Sequence, residues 1–582
     1  MSTNICKIAL SSLLTIGALT LSSCNNFLEE NPYDFISVED LDDSQESIDY
    51  LVTGVYSKWC NNIFRYDTLP AALEKDSDYI SGATWNFSDL GSGNFSDSSE
   101  IEGLWENGYS LIDRCNTALE LIEPMQNATS NKAKANAIAE ICFNKAYMYF
   151  LLTRAFGEIP LPSVSTYTLN IQGESLYGAR QPIADVYAEI IRLLEIAEDD
   201  LYAIDETSYV VGHVARGTAA GMLAKVYATM ASGALNDDSK ITVRTGEPCD
   251  PSAKTTLYAL ETMTFTKTQV AGYESFDTKA CYDKVIEYCE KLESGYYGDY
   301  DLIDYDEMWK HDAFNKISDV EYMFTIYSVS GNEIYGNKIS RNYCYTAESD
   351  GGVYKGLWVG QRNHWYMLFD DDHDDRRITD GVIHNWQAYE KDYGTFYPNT
   401  TVSTYYYDLK QLGEYPYNDG LTYSTSSSGT NLAYTTKYFN VTDRTLEYTD
   451  AYFSMLRYAD VLLLYAEALN ETRANVTLAK ELVTRVRVRS RYTATVDEIV
   501  ADDLESVRSV ILEERAKELA CEADRRWDLI RWGIYVDAMN AIGGSDEVGN
   551  IKSRQSKHLL YPIPVDEILA NEFITENNPG WN

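Results

Sequence analysis

Apolar residues repeat at helical spacing along two long parts of the chain and predict a mainly α-helical fold. The clearest stretch is 132–155. Within it Phe143, Ala146 and Phe150 lie at i, i+3 and i+7, which places them on one face of a helix. The same reasoning predicts further helices over 40–59, 101–122, 182–201, 216–230, 277–293, 458–470, 478–490, 503–522 and 526–539.

The predicted helices follow one another as pairs, which favours a repeat-like helical scaffold. Ala146 and Phe150 also have the A-x-x-x-F spacing of tetratricopeptide helices. Between the helical parts, 343–450 is rich in Gly, Ser, Thr, Tyr and Asn and has little periodicity, whereas 321–328 alternates like a short strand. We therefore predict a tetratricopeptide-like scaffold with an inserted irregular, loop-rich subdomain containing a few short strands. An irregular segment of that length indicates a function.

The first residues have the pattern of a bacterial lipoprotein signal. Lys7 precedes an apolar run, 8–21, that is too short for a stable membrane span. The run ends in Leu-Ser-Ser-Cys, the arrangement of a lipobox, so Cys24 is the expected lipid anchor. The alternative is ordinary secretory cleavage with an incidental cysteine. The predicted organisation is a signal peptide (1–23), an N-terminal helical region (24–240), an irregular ligand-binding region (241–450) and a C-terminal helical region (451–582).

The charge of the chain narrows the choice of partners. Asp and Glu number 90 against 48 Lys and Arg, which gives a formal charge of −42. Such a surface repels nucleic acid and anionic lipid, so neither is an expected partner. It also disfavours a highly sulfated or uronic-acid-rich ligand, unless a basic groove overrides it locally.

Sequence motifs of catalysis are missing from the chain. It contains no H-E-x-x-H, nucleophile elbow, P-loop or dinucleotide fingerprint, and its cysteines have no metal-site spacing. Glu514, Glu518 and Glu522 lie one turn apart, and a hydrolase would use two such carboxylates as acid and base. A salt-bridge network between adjacent helices is the favoured interpretation. We expect no enzyme activity, no cofactor and no metal.

Several motifs in fixed order resemble the SusD/RagB family. The chain reads L-R-Y-A-D-V-L-L-L-Y-A-E-A-L-N over 456–470, R-W-D-L-I-R-W-G over 526–533 and L-Y-P-I-P over 560–564, and it closes on N-P-G-W. In the first half, W-x3-Y-x-x-I-x-x-C-N over 105–116 and A-F-G-E-I-P-L over 155–161 are also similar to family signatures.

The resemblance implies a non-catalytic capture lipoprotein of the outer membrane. Its expected ligand is an oligosaccharide, bound on the irregular face. Its expected partner is a SusC-like TonB-dependent transporter, which would meet the helical repeat face. Peptide capture, as in RagB-type members, is the first alternative, and a surface glycoside hydrolase is the second.

A sugar-binding site needs flat aromatic side chains with amide or charged groups beside them. Two segments, 76–95 and 343–366, have that composition, although a loop aromatic can equally pack under its own loop. Trp85 is the first choice and Trp358 the second. The full set of predicted ligand contacts is Tyr79, Trp85, Asn86, Phe87, Tyr354, Trp358, Arg362, Asn363 and Trp365.

Overall fold

A computed structural model of the protein describes most of the chain after residue 40. The described residues are 41–63, 68–126, 130–247, 260–309, 320–344, 348–349, 352–353, 358–370, 372, 374–385, 432–443, 446–546 and 548–581. The predicted lipid anchor Cys24 and the predicted contact Tyr354 lie outside them. Among these residues, no helix has the length and apolar character that crossing a bilayer requires.

Helices dominate the described chain, which confirms the predicted mainly α fold. In chain order they are α1 (Gln45–Lys58), α2 (Thr68–Glu74), α3 (Ser99–Ile122), α4 (Asn131–Phe156), α5 (Thr166–Gln172), α6 (Ile183–Asp200), α7 (Arg216–Ala234), α8 (Thr278–Glu293), α9 (Tyr305–Met308), α10 (Ile339–Tyr343), α11 (Asn363–Met367), α12 (Arg376–Thr379), α13 (Tyr458–Glu471), α14 (Val476–Arg489), α15 (Leu504–Glu518), α16 (Arg525–Arg531), α17 (Tyr535–Asn540) and α18 (Val565–Ala570).

The long helices pack as successive pairs. Helix α3 lies on α4, α4 on α6, α6 on α7, α7 on α8, and α13 on both α14 and α15. Side-chain caps define where several of them start: Ser98 accepts a hydrogen bond from the backbone of α3, and Ser130 does so for α4. Helix α4 is buried on every side from Ala139 to Phe156, so its predicted single apolar face understates its burial.

Strands are short and lie mostly in the second half of the chain. They are β1 (Ile80–Gly82), β2 (Lys240–Thr245), β3 (Glu261–Thr266), β4 (Tyr322–Ile326), β5 (Glu348–Ser349), β6 (Gly352–Val353), β7 (Val359–Arg362), β8 (Val382–Asn385), β9 (Leu432–Thr435) and β10 (Phe453–Arg457). One sheet has the order β1-β7-β9-β8, and three antiparallel pairs join β10 to β4, β2 to β3 and β5 to β6. The strand predicted over 321–328 is β4.

Three predicted helices are shorter in the structure by five residues or more. The helix expected over 40–59 is α1, which begins at Gln45 and ends at Lys58. The helix expected over 526–539 is divided into α16 and α17 at Gly533, where φ is +62°. A Cβ atom there would lie 1.9 Å from the carbonyl oxygen of Thr268, so the position requires glycine. The helix expected over 503–522 ends at Glu518, and Cys521 follows with φ +61°.

Buried ion pairs join α15 to its neighbours, as expected for the glutamate stripe. Arg377 Nη1 lies 2.6 Å from Glu514, and Arg457 lies 3.0 Å from Glu518 and 2.6 Å from Glu522. All five side chains are buried. Because removing one member would leave a charge buried without its partner, this network fixes the relative positions of the elements that carry it.

Candidate functional site

Strand pairing brings the two predicted aromatic segments together. β1 runs antiparallel to β7, with Ile80 opposite Gln361 and Gly82 opposite Val359. The backbone amide of Ala83 then donates to the carbonyl oxygen of Trp358 at 3.1 Å. The sheet thus places the start of the 83–89 loop beside Trp358, although the two are far apart in sequence.

Two glycines allow the 83–89 loop to close over Phe87. A Cβ on Gly82 would lie 1.8 Å from the carbonyl oxygen of Trp358 and 2.4 Å from the Phe87 ring, and a Cβ on Gly91 would lie 2.1 Å from that ring. Phe87 is fully buried. Its ring therefore fills the interior of the loop, and the residues at the tip remain outside.

Buried ion pairs hold the chain that leads into β1. Arg525 contacts Asp78 at 2.7 Å, while Asp76 pairs with Arg526 and, at 2.8 Å, with Arg554. Burial opposes the charge of Asp76, but the two guanidinium groups still hold its pKa below the ordinary value. Helix α16, which carries one of the recognised sequence motifs, thus anchors the base of the loop that presents Trp85.

Trp85 and Trp358 form an edge-to-face pair at the surface. Their ring centroids are 4.9 Å apart at an interplanar angle of 79°. The Arg341 guanidinium lies 4.4 Å from the Trp358 ring centroid and supports it by a cation–π contact. Trp358 is half-buried, whereas Trp85 keeps 59% of its surface exposed. The pair therefore presents an apolar ring surface that a ligand in solution can reach.

A recess of about 150 Å³ opens beside this pair. We call it the tryptophan recess. The residues that line it are Ala71, Lys75, Asn86, Lys338, Asn342, Tyr343, Trp358 and Val359.

Asn86 is the polar group of the recess best suited to meet a ligand. Lys75 Nζ donates to Asn86 Oδ1 at 3.1 Å and to Glu100 at 2.7 Å. The Nδ2 donor of Asn86 is buried and has no hydrogen-bond partner among the described residues. A buried amide donor normally has a partner, so this group fits a ligand hydroxyl or a water molecule.

A second lysine of the recess, Lys338, shares a carboxylate with Arg341, the residue that contacts the Trp358 ring. Lys338 Nζ and Arg341 Nη1 share one oxygen of Glu447, at 2.6 and 3.0 Å. The hydrogen bond from Lys338, together with the charge of Arg341, lowers the pKa of Glu447. Burial opposes the charge of Glu100, the ion-pair partner of Lys75, but Lys75 still holds the pKa of that carboxyl below its ordinary value. Both carboxylates beside the recess are therefore ion-paired.

Four predicted ligand contacts are buried in the protein core, and their assignment to the ligand is corrected. Tyr79 and Trp365 belong to a second hydrophobic cluster, and their polar atoms donate to backbone carbonyls at 2.5 and 2.8 Å. Arg362 is fully buried and donates to the carbonyl of Asp78 at 2.8 Å. Phe87 fills the loop interior. All four residues of β7 are buried, so neither of its faces is open to solvent at these positions, and the loop closes over Phe87; composition alone predicts neither.

The surviving candidates are Trp85, Asn86 and Trp358. The side chains of Tyr354 and Asn363 lie outside the described part of the structure. Sequence reasoning missed Lys75, Lys338 and Arg341, because a single cation next to a helix carries no signal of its own. The available hint was position: Lys75 directly precedes the predicted segment 76–95, and Arg341 lies two residues before the segment 343–366.

Glu514 and Glu518 of α15 are ion-paired and lack the raised pKa of a general acid. Burial opposes the charge of Glu514, yet Arg377 and Arg487 hold its pKa well below the ordinary value. Glu518 is held down in the same way, by Arg489 and Arg457. A general acid requires a raised pKa. These residues therefore act as structural ion-pair partners.

Comparison with known families agrees with this fold. A family model described as "SusD family" matches residues 319–581, and one described as "Starch-binding associating with outer membrane" matches residues 26–228. The chain belongs to the SusD/RagB family.

Individual relatives match along nearly the whole chain. SusD-like protein P2 of Formosa agariphila is 25% identical over 591 aligned positions, which cover 97% of this chain and 98% of that protein. A crystal structure of a SusD homolog from Bacteroides thetaiotaomicron superposes with a TM-score of 0.68 at 22% identity, over 94% of this chain and 98% of that one. Surface glycan-binding protein A from Bacteroides fluxus gives 0.63 at 18% identity, over 92% and 100%. At these identities the structural matches establish the fold.

Proposed function

We propose that this protein is a non-catalytic glycan-binding lipoprotein of the outer membrane, which passes oligosaccharides to a SusC-like TonB-dependent transporter. The observation that carries the proposal is the exposed Trp85 ring, packed on Trp358 beside a recess in which the amide donor of Asn86 has no partner among the described residues. Sugar rings present apolar C–H faces and polar edges, and this arrangement offers a partner to each. Family membership and the outer-membrane description of one matching family model support the location.

The electrostatics of the recess favour binding without hydrolysis. A glycosidase acid needs a carboxyl group whose pKa is raised, and both Glu100 and Glu447 have lowered pKa values. Lys75 and Lys338 give the recess a local basic character within a strongly acidic protein. Uronic acid-containing oligosaccharides therefore belong in the ligand screen beside neutral ones.

The test is a glycan screen followed by calorimetry on the best oligosaccharide. Trp85→Ala should weaken binding by about 2 kcal/mol, roughly thirtyfold, because a stacked ring at the centre of a site carries a large share of the affinity. Tyr167→Ala removes an exposed ring from another surface, 68% exposed against 59% for Trp85, and should leave the affinity unchanged. Binding of peptides but no glycan, or release of reducing sugar by the pure protein, would overturn the proposal.

The lipid anchor is tested separately. Cys24→Ser should abolish acylation and move the protein from the outer-membrane fraction into the soluble fraction. Unchanged membrane association of this variant would remove Cys24 as the anchor.

A further inference from the structure

A second and larger recess lies between the N-terminal helical region and α18 of the C-terminal helical region. It has a volume of about 610 Å³, within the range of roughly 300–1,000 Å³ that is common for binding sites. Its walls are α3, the segment 160–181 and α18. We call it the acidic groove. None of the residues assigned to the tryptophan recess lines it.

Most polar side chains of the acidic groove form hydrogen bonds within its own walls. Tyr109 Oη donates to the carbonyl of Pro160 at 3.0 Å, Asn116 Nδ2 to Val164 at 2.9 Å and Asn571 Nδ2 to Gly178 at 3.1 Å, and Asp113 accepts from the amide of Thr166 at 2.7 Å. The groove is therefore preformed, but it offers a sugar few of the amide and hydroxyl groups that its edges need.

Apolar side chains remain exposed in and around the groove. Leu176 lines it and keeps 45% of its surface exposed, and Leu569 of α18 keeps 80%. Tyr177 lines it as well, and Tyr167 and Ile171 of α5 lie on the same segment, all three exposed. A cluster of exposed apolar groups of this kind marks an interaction surface.

The charge of the groove has one sign. Its charged lining residues are Glu106, Asp113 and Glu567, and no Lys or Arg lines it in the part of the chain that the structure describes. Partial burial, with the charges of Glu102 and Asp566, raises the pKa of Glu106. Carboxylates from α3 and α18 thus repel each other across the groove, and a cation between them would relieve that repulsion.

We propose that the acidic groove docks a segment of a partner protein in which large apolar side chains alternate with Lys or Arg. The exposed leucine and tyrosine side chains receive the apolar residues, and the three carboxylates pair with the basic ones. Because most hydrogen-bonding groups of the groove already bond to its walls, a polypeptide with apolar side chains fits it better than a glycan. The negative charge of the groove disfavours a second copy of this strongly acidic chain. The proposal is independent of the function assigned to the tryptophan recess.

The probe is a heptapeptide of sequence ALKYRLA with acetylated and amidated ends, titrated into the folded protein by calorimetry. Blocked ends mimic a segment inside a longer chain. We expect saturable binding that weakens at least about tenfold when both basic residues are replaced by Glu. Absence of binding to ALKYRLA, equal binding of the acidic peptide, or binding only of peptides with free ends would overturn the proposal.

Variants of the protein locate the site. Leu176→Asp should reduce peptide affinity about tenfold, while Val500→Asp, which changes an aliphatic residue 85% exposed elsewhere, should have no effect. Glu106→Lys should weaken the binding of the basic peptide and strengthen the binding of the acidic one. Glu290→Lys on α8 makes the same change of charge elsewhere and serves as the control. Peptide binding that Leu176→Asp and Glu106→Lys leave unchanged would contradict the proposal. So would an oligosaccharide that competes with the peptide, or self-association that Leu176→Asp abolishes.

Discussion

The tryptophan recess and the acidic groove differ in what their polar groups do. In the recess, Asn86 keeps a donor without a described partner beside an exposed aromatic pair. In the groove, the amides bond to the walls and the remaining surface is apolar with an acidic lining. The availability of hydrogen-bonding groups, more than the size of a cavity, thus separates a candidate sugar site from a candidate protein-docking site.

The largest expected effect is a loss of stability when the buried ion pairs of Asp76, which anchor the loop of Trp85, are removed. Asp76→Asn leaves Arg526 and Arg554 buried without their carboxylate, which should cost about 3 kcal/mol of unfolding free energy. Urea denaturation measures this loss. The matched control is Asp502→Asn, which breaks an exposed pair with Lys480 and should cost less than about 1 kcal/mol. Equal losses in the two variants would contradict the anchoring role of Asp76.

A second variant should change glycan affinity at the tryptophan recess but not peptide affinity at the acidic groove, and it removes no charge. Gly82→Ala places a Cβ against the Trp358 carbonyl and should push β1 from β7, lowering glycan affinity about tenfold. Peptide affinity in the acidic groove should stay the same. Gly54→Ala is the control, since a Cβ there meets no atom within 4 Å. Unchanged glycan affinity in Gly82→Ala would show that the strand pairing does not position the recess.

Salt should affect only one site. Raising the salt concentration from about 0.05 to 0.5 M screens surface charges and should weaken peptide binding to the acidic groove by roughly threefold. Binding of a neutral oligosaccharide should not respond. Calorimetry at both concentrations checks this, and a peptide affinity insensitive to salt would argue against charge pairing in the groove.

The smallest effect is a dependence on pH. Because the pKa of Glu106 is raised by burial and by Glu102 and Asp566, this carboxylate loses its charge earlier than an ordinary one as the pH falls. Peptide affinity should therefore fall about twofold between pH 7 and 5. Glu100 and Glu447 have lowered pKa values and stay charged over this range, so glycan affinity should stay constant. A peptide affinity that rises toward pH 5 would reverse the predicted sign.

The helical scaffold was predictable from sequence because its signal is periodic and local. The bounds of α3, α4 and α8 agree with the predicted helices within two residues. Gly533 is a recognisable helix stop in the sequence. The close approach of Thr268, which requires glycine at this position, is a long-range contact and was not predicted. The predicted domain boundaries and the lipid anchor stay predictions.

The candidate site was predictable only in part. Both aromatic segments were identified from composition, and the structure brings them together through β1 and β7. Which side chains face solvent depends on the burial of β1 and β7 at every position and on the filling of the loop by Phe87, and neither is visible in a list of aromatic residues. Trp85 therefore remained a candidate while Tyr79 and Trp365 became core residues.

The most direct test of the central claim is a crystal structure with the oligosaccharide that the glycan screen identifies. We predict that a sugar ring contacts the Trp85 and Trp358 pair and that a hydroxyl group accepts a hydrogen bond from Asn86 Nδ2. A glycan bound in the acidic groove, or on a surface remote from Trp85, would contradict the account.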